Sequence, residues 1–95
     1  MWVLTRSDWP LLVNLSRAAT ITYQQIAKLD PRMRVVAAAW EQEFILADCA
    51  NGDEARALVS LIAAAIADGK PLLDLRGLDL ATLAAEAAAN RVTDR

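Results

Sequence analysis

The chain contains no histidine. That removes the imidazole used for acid–base work near neutral pH, and the zinc ligand of many catalytic sites. Ser-His-Asp and Cys-His nucleophilic sites are excluded with it. There is one cysteine, Cys49. It has no partner for an internal disulfide, and a reducing cytoplasm is the expected compartment. At the end of an expected strand, Cys49 reads as a small buried hydrophobe rather than a nucleophile. The three glycines, Gly52, Gly69 and Gly77, each fall at an element boundary. None belongs to a phosphate-cradling loop.

Long hydrophobic runs are also missing. The longest, Ala57 to Ala67, is interrupted by Ser60 and falls short of the roughly 18 residues needed to span a bilayer. It is expected to be a buried helix, with no membrane association. The opening Met-Trp-Val-Leu-Thr-Arg carries no basic region, so no secretory leader is expected. Acidic groups are present but match no calcium loop. Glu41 and Glu43 suit a solvated hairpin turn, and Asp48, Asp53 and Glu54 suit the start of a helix better than a hard cation. No catalytic residue, metal or cofactor is expected.

What the chain does have is apolar mass. Of its 95 residues, 56% are hydrophobic and mean hydropathy is +0.25. Much of this is alanine, which predicts one modest core and some apolar surface left for a second chain to cover. The net charge of −2 conceals an asymmetry. Residues 1–40 carry five basic and two acidic side chains, and residues 41–95 carry five basic and ten acidic ones. Trp2, Trp9, Tyr23 and Trp40 lie in the first part, and Phe44 is the one aromatic in the second.

The pattern predicts a single α+β domain: residues 1–50 mainly β, 51–69 a long helix, and 79–91 a C-terminal helix. Trp2 to Thr5 and Leu11 to Leu15 are rich in strand formers, with Asn14 to Arg17 a possible bend. Ala18 to Gln24 alternates with period two. Arg34 to Trp40 and Phe44 to Cys49 predict a hairpin across Glu41-Gln42-Glu43, without the Asn-Gly signal that would fix its register. Asn51 and Glu54 have capping-box spacing. Ala55, Leu58, Val59, Ile62 and Ile66 form an apolar stripe, and Gly69 with Pro71 ends the helix. Pro71 to Leu75 is expected to be extended and to pair with the sheet edge. Asp79 is expected to cap the last helix. The whole predicts an antiparallel sheet of four to six strands, one long helix packed on it, and a second C-terminal helix.

Both faces of the predicted hairpin are apolar, whereas a sheet with one wet face alternates. One helix covers one face. The other must meet the C-terminal helix, an N-terminal aromatic such as Trp9, or another copy of the chain. A homodimer is one expectation, since two-fold dimers are the commonest oligomers. Closure within the monomer is the other. Trp9, Trp40, Leu80 and Leu83 are the candidate interface residues of a non-enzymatic interaction module. The alternative is nucleic-acid binding, with Arg17, Lys28, Arg32 and Arg34 along a phosphate path and aromatic faces for stacking. The sequence isoelectric point near 4.9 argues against it.

The order of elements, with Trp2-Val3-Leu4-Thr5-Arg6, Leu12-Val13-Asn14-Leu15, Asp53-Glu54-Ala55-Arg56 and Ala67-Asp68-Gly69-Lys70 before Leu73-Asp74-Leu75, resembles short uncharacterised bacterial and phage-type α+β proteins. The resemblance covers about residues 1–75. It implies a curled antiparallel sheet with one long helix, and it carries no catalytic residues.

Overall fold

A computed structural model describes the backbone of residues 1–93 and the side chains of residues 1–89. The fold is α+β, with two three-stranded sheets and two helices. The single sheet of four to six strands expected from the sequence is therefore divided. The first sheet has the order β2-β1-β6, from β1 (Trp2–Leu4), β2 (Leu12–Asn14) and β6 (Leu72–Asp74). β2 runs antiparallel to β1 and β6 runs parallel to it. The second is an antiparallel meander of β3 (Thr20–Gln25), β4 (Met33–Ala39) and β5 (Gln42–Cys49).

A bulge explains the division. Val35 pairs with Ala47 but Val36 pairs with Ile45, which leaves Leu46 as an extra residue on β5. Leu46 and Ala47 are both fully buried, so the period-two pattern breaks there. The Leu46 carbonyl accepts from the backbone N–H of Arg6 at 2.9 Å, and Arg6 bridges Ala47 in parallel. The chain just after β1 thus meets β5 at a single bridge.

The long helix, α1 (Gly52–Ala67), matches the sequence expectation closely. Asn51 Oδ1 accepts from the Glu54 N–H at 3.0 Å, satisfying one of the unpaired donors at the helix start. Glu54 Oε1 accepts from the Ala50 N–H at 3.0 Å, one residue before the usual capping-box partner. At the other end Gly69 has φ 71°, its N–H donates to Ile66 O, and Lys70 N–H donates to Ala65 O. This is a Schellman closure. Ala55, Leu58 and Ile62 belong to one core cluster with Val35, Ala37, Leu46, Ala47 and Cys49 of the meander, Val3 and Val13 of the small sheet, and Leu75 just after β6.

Asp79 caps α2 (Leu80–Thr93), its Oδ1 accepting from the Thr82 N–H at 3.1 Å. This contact holds the Asp79 carboxyl below its ordinary pKa. α2 packs on α1. Between β6 and α2, Arg6 Nη1 donates to the carbonyls of Arg76 at 3.1 Å and Leu78 at 2.7 Å. One residue therefore ties the small sheet to the meander by its backbone and to the last connection by its side chain.

Candidate interaction surface

Cross-strand partners share a sheet face. The inner face of the meander carries Ile21, Tyr23, Met33, Val35, Ala37, Phe44, Ala47 and Cys49, and all of these belong to the core cluster or pack against it. The outer face carries Thr20, Thr22, Gln24, Arg34, Glu43 and Asp48 around Val36, Ala38 and Ile45. The expectation of a hairpin apolar on both faces is corrected here. Polar residues of β3 and a salt bridge from Arg34 to Asp48 at 2.8 Å frame a narrow apolar strip. Val36 is buried in this strip, between its cross-strand partners Thr22 and Ile45.

The more open apolar surface lies elsewhere. The connection between β4 and β5 is two residues long, Trp40-Glu41, because Ala39 pairs with Gln42. The expected Glu41-Gln42-Glu43 turn, with Trp40 inside the strand, starts one residue and ends two residues too late. Trp40 has φ 53°, a region that bulky side chains rarely occupy. A positive φ at the first loop position alone fits a type II′ turn. Trp40 stands fully exposed at this tip.

Beside it runs a groove of about 780 Å³. Ala37, Ala39 and Phe44 come from the inner face of the meander, and Leu11 to Asn14 come from β2 and the residue before it. Arg17 lines the groove from a single 3-10 turn, Leu15–Arg17, and Glu41 lines it from the hairpin tip. Asn14 caps that turn, accepting from Ser16 N–H at 3.1 Å. Alanines at 37 and 39 leave the space that larger strand residues would fill. Leu12 also pairs with Leu4 on the outer face of the small sheet, where Trp2 pairs with Leu72. Trp2, Leu12 and Leu72 are each about half exposed, so the apolar surface continues from the groove onto that face.

The four candidate interface residues separate into two pairs. Trp40 lines the groove. Trp9 is also exposed, on a loop closed by mutual bonds between Thr5 and Leu11: Thr5 N–H donates to Leu11 O at 2.9 Å and Leu11 N–H donates to Thr5 Oγ1 at 2.8 Å. Leu80 is buried in the core and Leu83 packs against it. The α1–α2 packing of the same chain occupies both. Leu11, Leu12, Glu41 and Phe44 were not singled out from the sequence. The signal that could have found them is the tightness of the Trp40-Glu41 loop, which is masked because neither residue is Gly or Asn.

The basic residues divide between the two ends of the meander, Arg17 at one and Lys28, Arg32 and Arg34 at or near the other. Arg17 sits at the end of the meander where Thr20 pairs with Ala38, and Lys28 and Arg32 lie beyond the Gln25–Met33 pair at the other end. Arg32 is bound by Asp30 at 2.7 Å and Arg34 by Asp48 at 2.8 Å. Two of the four proposed phosphate contacts are thus engaged by carboxylates. Burial pushes the Cys49 thiol up to about 11, with Glu54 and Asp48 adding to it, so thiolate is scarce at neutral pH. Among the described residues no three His, Cys, Asp or Glu side chains gather as a metal site, and no helix is long and apolar enough to cross a membrane.

No family model, no curated protein and no solved structure matches this chain.

Proposed function

We infer that the chain is a small non-enzymatic interaction module that works by protein–protein association, with self-association its simplest form. One observation carries this reading: a fully exposed tryptophan, held at positive φ, rims an apolar groove that, among the described residues, no helix side chain lines. Tryptophan is enriched among residues that dominate binding energy. Residues held in sparsely populated backbone regions cluster at functional sites. Contiguous exposed apolar surface, here the groove together with Leu12, Trp2 and Leu72, marks interaction sites more often than chance exposure does.

The test is the solution mass of the purified chain across a wide concentration range, for the wild type and for Trp40→Ser. A mass that rises to twice the monomer in the wild type, and stays monomeric in Trp40→Ser with unchanged melting temperature, is the expected result. A monomeric wild type at every concentration overturns the self-associating form.

A further inference from the structure

We propose that the groove is filled by the hairpin tip of a second copy of the chain. In this two-fold arrangement Trp40 of each copy enters the other's groove and Arg17 of each pairs with Glu41 of the other. The proposal rests on the reading above and adds the occupant's identity and register.

The argument starts from charge. Six arginines lie between residues 1 and 89. Arg32, Arg34, Arg56 and Arg76 each pair with an aspartate of the same chain, and Arg6 is spent on backbone carbonyls. Among the described residues, the side chain of Arg17 makes no ion pair or hydrogen bond. Glu41 likewise has none. Both line the groove, Arg17 from the 3-10 turn and Glu41 from the hairpin tip. A surface with one unpaired cation and one unpaired anion is self-complementary. In a two-fold interface a contact from residue i to residue j is accompanied by one from j to i. A single rotation therefore satisfies both charges twice.

Shape agrees with charge. Trp40 stands on the rim of the groove rather than in it. A two-fold axis passing near the hairpin tip brings each indole over the partner's floor of Ala37, Ala39 and Phe44. The groove volume of about 780 Å³ lies in the range of roughly 300–1,000 Å³ typical of sites that enclose a compact ligand, so it holds an indole and part of the loop that carries it. A tryptophan buries about 150–250 Å² when enclosed. Exposed Leu11 and Leu12 add apolar area beside it. A ligand of one charge sign would leave either Arg17 or Glu41 facing its own sign, whereas a second copy does not.

The test is a charge exchange read by analytical ultracentrifugation. Arg17→Glu and Glu41→Arg are each expected to weaken the homodimer about tenfold or more, because each sets like charges face to face. Mixed in equal amounts, the two variants are expected to form a heterodimer of near wild-type affinity, since both contacts are then attractive. The double variant is expected to recover the homodimer. Both positions are exposed, so melting temperature should not move. If either charge reversal impairs folding, the Arg17→Gln and Glu41→Gln double-mutant cycle replaces it, and a coupling near zero counts against the pairing. Single variants that dimerise like the wild type, or a mixture that stays monomeric, overturn this arrangement while leaving a dimeric wild type as evidence for association by another route. A monomeric wild type overturns both.

Discussion

The backbone N–H of Arg6 donates to the carbonyl of Leu46 at 2.9 Å, and this bond joins two sheets that otherwise share no ladder. Its acceptor is the extra residue of the β5 bulge. Its donor belongs to the residue whose side chain clamps the β6–α2 connection. The corner around which the chain folds is therefore built from one arginine and one leucine far apart in sequence.

Arg6→Ala should consequently weaken more than a surface arginine would. Its guanidinium reaches the Leu78 and Arg76 carbonyls, and hydrogen bonds to a charged donor contribute about 1.5–3 kcal/mol. Denaturant unfolding should register a loss of that order. Hydrogen exchange should speed up first around residues 75–80. Unchanged exchange there would show that the clamp contributes nothing.

The ends of α1 give a second prediction. Asn51→Ala removes the acceptor for the Glu54 N–H and should cost about 1 kcal/mol. Gly69→Ala meets no atom within 4 Å, so its cost is the left-handed backbone alone, about 1–2 kcal/mol. The two changes lie at opposite ends of the helix and should add in denaturant unfolding.

The buried thiol gives a third. With its ionisation pushed to about 11, Cys49 should react with a water-soluble disulfide reagent far more slowly than a free thiol at pH 8. It should react at the ordinary rate in denaturant. Fast modification of the folded protein would contradict the burial.

A repeated device predicts the acid response. Asp30 and Asp74 each accept from the backbone N–H of the arginine two residues on, at 2.9 Å, and each also pairs with that guanidinium. The arginine side chain, chiefly, lowers both carboxyls from 3.8 to about 2. Between those values the folded state binds fewer protons than the unfolded state, so stability rises with pH there and is lost on acidification. These contacts should contribute above about pH 4 and be lost as pH falls through 2. The effect should be small, because both pairs are exposed and screened. Asp74→Asn should flatten the profile between pH 4 and 2. An unaltered profile would remove the carboxyl from the account.

Local rules made parts of this structure legible in the sequence. α1 could be read because its cap, stripe and terminal glycine are all encoded within a few residues of where they act. Asp79 and the extended segment before it were readable for the same reason. The division into two sheets was not, because it depends on Leu46 breaking the alternation of β5 to meet Arg6, a contact 40 residues away in sequence. The outer face of the hairpin is not legible locally, because the bulge at Leu46 resets the alternation of β5 and half of the framing polar residues come from β3. Trp40 was recognised as a candidate contact but placed inside a strand. Nothing local announces a tight turn with tryptophan at positive φ. Sequence alone offers Arg17 only as one of four phosphate contacts, because its groove forms when β2 and the meander come together.

The most direct test of the proposed working surface is the sedimentation behaviour of wild-type chain beside Trp40→Ser from micromolar to millimolar concentration. A reversible monomer–dimer transition in the wild type, shifted at least about tenfold to higher concentration by the substitution, is the predicted result. Two superimposable monomer profiles, or two superimposable dimer profiles, would contradict it.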